Sequence, residues 1–133
     1  MQKPIPAATA DTREFWDACG RGELMYQICR GCGRAQFYPR RHCAACQADE
    51  LEWRHSAGLG AVYSHTTVYR APTPAFKADV PYVIALVDLD EGFRMMVNIL
   101  GCDPGEVRIG GRVRIVFRAD GEDMKLPQGE LIR

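Results

Sequence analysis

Two cysteine pairs, Cys29-Arg30-Gly31-Cys32 and Cys43-Ala44-Ala45-Cys46, stand ten residues apart and constrain this chain more than any other feature of it. A C-x2-C spacing lets one tight turn aim two thiolates at a single ion, and Gly33 relieves crowding where backbone N–H groups bend toward sulfur. Two such turns at the ends of hairpins close a tetrahedral shell of four thiolates. Because four protein ligands leave no open position for water or substrate, the expected occupant is one structural Zn²⁺ per chain, held by Cys29, Cys32, Cys43 and Cys46. Iron fits the same geometry, but nothing in the sequence points to redox work. The competing explanation is a set of buried or disulfide-bonded cysteines that fall at this spacing by accident, which is rare for two pairs in register.

The surroundings of the pairs fit that reading. Residues 24–54 hold Arg30, Arg34, Arg40, Arg41 and Arg54 against Asp49, Glu50 and Glu52. Four thiolates around a dication carry a net charge of −2, so the surplus of arginine offsets the metal centre and does not have to signal nucleic acid. Across the whole chain Lys+Arg and Asp+Glu are both 17, which argues against a partner held chiefly by electrostatics, such as duplex DNA. The 47% hydrophobic content suits a packed globular chain of 133 residues. The longest apolar run, near Tyr82 to Val87, is far short of the roughly 20 residues that cross a bilayer, and residues 1–10 lack the pattern of a signal peptide. A soluble cytoplasmic protein with no membrane association is therefore expected, in a compartment where cysteines stay reduced.

Along the chain, the Pro- and Ala-rich residues 1–10 read as a loose tail. Asp11 or Thr12 then caps a short helix ended by Gly20, with Phe15, Trp16 and Cys19 on one side. Short strands are expected at 24–28, 35–38 and 51–54, which make a separate zinc mini-domain. A two-glycine hinge at 56–60 leads into period-two patterning at 61–69, 82–89, 93–100 and 112–118, with a weak last strand near Leu131-Ile132. Asp103-Pro104 signals a helix running to about Ile109. The expected division is 1–23 for tail and helix, 24–55 for the zinc ribbon and 56–133 for a barrel. Three strands, a helix and two strands is the order of a five-stranded OB-fold, with an SH3-like barrel as the competing topology.

Catalytic apparatus is missing. His42, His55 and His65 share no motif spacing with a carboxylate or nucleophile, and neither a dinucleotide fingerprint nor a phosphate-binding loop occurs. Cys102, in a loop position, has no local histidine to activate it and reads as a small apolar residue.

The motifs taken together resemble a zinc-ribbon plus OB-fold family long catalogued as a domain of unknown function. Phe15-Trp16, Leu24, Cys29-x2-Cys32-Gly33, Phe37, Pro39-Arg40 and Cys43-x2-Cys46 carry the resemblance. It continues through Ser56-x-Gly58-x-Gly60-x-Val62-Tyr63-Ser64, Pro81-Tyr82-Val83, Val87-x-Leu89-x-Glu91-Gly92-x-Arg94, Cys102-Asp103-Pro104 and Gly110-x-x-Val113. The chain departs from the family in lacking a proline after Cys43 and an aromatic-x-proline ending after Leu126-Pro127. The resemblance implies a mainly β chain: a short N-terminal helix, a rubredoxin-like zinc ribbon and an OB barrel. It further implies a non-catalytic companion of acyl-CoA enzymes, most often thiolase-fold subunits that make or break carbon–carbon bonds, sometimes hydratases or aldolases.

On that reading the Pro-rich connection 70–81 borders the CoA ester. Phe76 offers an aromatic face, and Arg70, Lys77 and Arg94 meet phosphates, each with a plain surface role as the alternative. Phe15 and Trp16 anchor the catalytic subunit, unless the helix folds back on the ribbon. A different class, a single-strand nucleic-acid module, uses the same two folds. Against it, residues 61–100 hold only Arg70, Lys77 and Arg94 as cations, with four acids.

Overall fold

The computed structural model describes residues 6–119 and 124–133. Helix α1 (Arg13–Gly20) opens the fold. Phe15, Ala18 and Cys19, spaced at helical intervals, form its buried face. At its start the Thr9 N–H donates to the Thr12 hydroxyl at 2.8 Å. The sheet that follows has the order β2-β1-β3, with β1 (Met25–Cys29) paired antiparallel to β2 (Ala35–Gln36) and β3 (Leu51–His55).

The second sheet is a closed barrel of order β4-β5-β6-β8-β7, the five strands being β4 (Leu59–Val68), β5 (Tyr82–Leu89), β6 (Arg94–Leu100), β7 (Arg112–Ala119) and β8 (Lys125–Leu131). This is the expected OB order. Strands β5 and β6 alternate strictly, so Val83, Ala85, Val87 and Leu89 meet Met95, Val97 and Ile99 inside. Two glycines are needed for closure. A Cβ on Gly60 would run into the Asp88 carbonyl, and one on Gly129 would lie 2.7 Å from Ile99 Cδ1. Gly129 thus lets β8 reach β6 for the short parallel pairing Ile99↔Gly129 and Leu100↔Glu130.

Two expectations change. The helix expected over 104–109 is a single 3-10 turn, Pro104–Glu106, after which Val107 is buried in the core. Gly105 inside so short a segment weakens it, and burying Val107 leaves no length for a further turn. The last strand is longer than the sequence suggests, because β7 pairs with it from Ala119↔Lys125 to Val113↔Leu131.

The ribbon and the barrel share apolar contacts. One apolar cluster joins Phe15 and Cys19 of α1, Tyr26 of β1 and the barrel interior. Tyr26 stacks on Phe93 with centroids 4.7 Å apart, and Phe37 lies between Phe15, at 5.2 Å, and Phe93, at 6.1 Å. Among the described residues no helix is long and apolar enough to cross a membrane.

Candidate functional site

The four cysteine sulfurs converge. All lie within 4.8 Å of one another, with Cys29–Cys46 and Cys32–Cys43 each at 3.6 Å. Metal–sulfur bonds of about 2.3 Å in a tetrahedron require sulfurs about 3.8 Å apart, so the cluster fits a four-coordinate zinc-type ion. The two knuckles repeat one backbone design. In the first, the Gly33 N–H donates to the Cys29 carbonyl at 2.7 Å; in the second, the Gln47 N–H donates to the Cys43 carbonyl at 2.9 Å. Both donors need a left-handed backbone, with φ +78° at Gly33 and +66° at Gln47.

The sulfurs sit in unequal surroundings. Cys29 and Cys43 are buried, Cys32 and Cys46 exposed. The N–H groups of Cys46, at 3.4 Å, and Ala45, at 3.3 Å, point at the Cys43 sulfur and hold its thiol down at about 6. For Cys46 the Ala48 N–H pulls the same way, but the neighbouring thiols, Cys29 first, and burial push it up to about 12. Four sulfurs this close cannot all ionise alone, and a dication is what resolves the conflict.

The four residues expected at a CoA ester do not assemble. The connection 70–81 folds into a 3-10 turn, Pro74–Asp79, where Phe76 leans on Tyr82 with centroids 6.1 Å apart and Lys77 and Arg70 are exposed. Arg94 stands opposite Asp88, near the far end of β5 from Tyr82, roughly 20 Å of strand away at about 3.3 Å per residue. It is also engaged: its Nε donates to Asp88 at 2.6 Å, and its guanidinium covers the Tyr63 ring at 3.7 Å. Arg94 and Lys77 thus stand toward opposite ends of β5.

Phe15 and Trp16 part company as well. Phe15 is 2% exposed and packs on Phe37, reaching the apolar groove described next only from its floor. Trp16 is half-buried, with its edge against Phe15 at 4.9 Å. It walls an apolar groove of about 440 Å³ where β6 and β8 diverge, shared with Tyr38, Met95, Met96, Leu126 and Pro127. Tyr38 is 65% exposed and Met96 69%. Sequence reasoning missed this groove, although the Met95-Met96 doublet, one inward and one outward, was its available sign.

A second, more polar cavity of about 440 Å³ lies beside the end of the 70–81 connection, lined by Asp79, Tyr82, Cys102 and Arg118 among others. It shares Asn98 and Gln128 with the groove, and the Gln128 side chain accepts from the Asn98 N–H at 3.2 Å. Burial raises the Cys102 thiol, which opposes a nucleophilic role.

Known proteins share these features. A family described as the ChsH2 rubredoxin-like zinc ribbon domain matches residues 16–52, and one described as the ChsH2 C-terminal OB-fold domain matches 53–118. A DUF35 domain-containing scaffold protein from Methanothermobacter thermautotrophicus is 37% identical over 82% of this chain and 84% of its own. A probable enoyl-CoA hydratase alpha subunit from Thermomonospora curvata is 32% identical over 94% of this chain. The match covers 39% of that protein, so the chain spans well under half of it. Among solved structures, a chain of an Ltp2-ChsH2(DUF35) aldolase superposes with a TM-score of 0.84 at 31% identity, covering 96% of this chain and 98% of that one. A DUF35-family protein of unknown function from Sulfolobus solfataricus, at 16% identity and TM-score 0.66, shares the fold.

Proposed function

The chain belongs to the ChsH2/DUF35 family of zinc-ribbon and OB-fold proteins, and from that membership we propose that it is a non-catalytic subunit of an enzyme complex acting on acyl-CoA esters. The observation that carries this is the near-complete superposition on the Ltp2-ChsH2(DUF35) aldolase chain. The four-cysteine cluster, whose four ligands would leave a bound ion no open position, supports a structural role for the ribbon in that subunit.

In this reading the ribbon binds one structural Zn²⁺, and the complex works in the cytoplasm. The catalytic partner is a thiolase-fold subunit, and Trp16, with Tyr38 and Met96, forms the anchor it grips: aromatic and methionine side chains concentrate at such surfaces. The connection carrying Arg70, Phe76 and Lys77 faces the CoA ester, with Arg94 left out of the set.

The test is reconstitution. The isolated chain should carry about one zinc by elemental analysis and turn over no acyl-CoA, whereas adding its cognate thiolase-fold subunit should produce CoA-dependent cleavage or condensation. Turnover by the isolated chain, or equal turnover by the partner alone, would refute the assignment.

A further inference from the structure

The segment bearing Cys43 and Cys46 leaves the sheet after Gln36 and rejoins it at Leu51. A loop of that length has much conformational freedom to lose, and a metal that had to order it would bind more weakly for doing so. Sulfurs aside, the hydrogen bonds among the described residues that tie 39–48 to strands β1 and β2 all pass through two side chains, Gln27 and Gln36.

These two face each other across the β1–β2 ladder. Gln27 is 4% exposed, one of the few buried polar residues described. Its Oε1 accepts from Gln36 Nε2 at 2.8 Å and from the Arg40 N–H at 2.9 Å, while its Nε2 donates to the Arg40 carbonyl at 2.9 Å. Gln36 Oε1 accepts from the Ala44 N–H at 2.9 Å. Arg40 and Ala44 bracket Cys43, so the bonds hold the second knuckle on both sides of its buried ligand. None involves a sulfur. A buried amide with these bonds satisfied is costly to leave empty-handed, which gives the clasp a preference for one geometry.

We propose that Gln27 and Gln36 are positioning residues for the metal centre, holding the second knuckle in its binding geometry without the metal. The site is then preformed in the metal-free chain, and the ion enters and leaves without unfolding of the ribbon. This rests on the four-cysteine cluster and the glutamine hydrogen bonds around it, and is independent of any acyl-CoA partner.

The test uses the full chain with Gln27→Met and Gln36→Met, which keep side-chain length but remove the hydrogen bonds, and Thr66→Val at an exposed position of β4 as control. Zinc affinity is measured by competition with a chromophoric chelator, and site geometry by the visible spectrum of the Co²⁺-loaded protein. Loss of an orienting partner should weaken zinc by about 10- to 100-fold and shift the Co²⁺ bands, with no change in the control. In the metal-free parent chain, the amides of Arg40 and Ala44 should remain protected from hydrogen exchange. Affinity within twofold of the parent in both variants, or loss of that protection as soon as metal is removed, would overturn the proposal. If Gln27→Met does not fold, the half-exposed Gln36→Met, which leaves the Gln27–Arg40 bonds in place, decides the question.

Discussion

The ring of Tyr26, on the central strand of the ribbon, lies flat on Phe93 at the mouth of the barrel, 4.7 Å between centroids and 16° between planes. Both are buried, so the cysteine-bearing sheet and the barrel share one interior. Phe93→Ala should cost about 3–5 kcal/mol, and metal chelation should lower the melting temperature of the whole chain in a single transition. Calorimetry with and without chelator checks this; two separated transitions in the parent chain would contradict the coupling.

Trp16 and Phe15 are adjacent in sequence and should behave oppositely. Phe15→Ala empties a site enclosed by Trp16 and Phe37 and should destabilise by about 3–5 kcal/mol. Trp16→Ala should leave zinc content close to that of the parent and lower the melting temperature less than Phe15→Ala does, while abolishing co-elution with the catalytic subunit in gel filtration. Equal loss of stability in both variants would make Trp16 a packing residue only.

Gln47 adopts the left-handed backbone that Gly33 occupies in the first knuckle. Gln47→Gly should therefore stabilise the chain by about 0.5–1 kcal/mol, the strain relieved outweighing the flexibility added to the unfolded state, with zinc affinity unchanged. Gly33→Gln should destabilise by at least as much. Denaturant titration of the pair reads both signs.

Lys77 and Arg94 are separated by the length of β5. In the reconstituted complex Lys77→Glu should weaken CoA-ester affinity several-fold, because a loop cation facing phosphate is replaced by a repelling charge, while Arg94→Ala should leave it unchanged. Isothermal titration with a non-hydrolysable CoA analogue distinguishes the two; a loss only in the Arg94 variant would move the ester to the opposite end of the barrel.

Arg94 and Arg112 hold the carboxyls of Asp88 and Asp90 below the ordinary carboxylate value of 3.8. A carboxylate lowered in the folded state contributes stability that is present above its unfolded value and lost as pH falls through the folded one. The contribution of these pairs should thus be fully present and independent of pH near neutrality and be lost below about pH 4, where the melting temperature should fall, and Asp88→Asn with Asp90→Asn should flatten that acid limb.

The four-cysteine cluster was legible in the sequence because its information is local: two residues at a fixed spacing define a turn, and Gly33 marks the left-handed position that the turn needs. The barrel was nearly as legible, since period-two burial writes itself into β5 and β6. Strand β8 was not. Pro127 and Gly129 argue against a strand, yet at Pro127 the strand has a neighbour on one side only, where a missing N–H is tolerated, and at Gly129 the absence of a side chain is what admits Ile99. Only tertiary pairing settles such a segment. The same holds for Phe15, Trp16, Lys77 and Arg94: the sequence offered them as candidates to anchor a partner or meet a phosphate, but which of them are buried, paired or far apart depends on strand register and on how α1 lies over the seam between β6 and β8, neither of which is a local property of the chain.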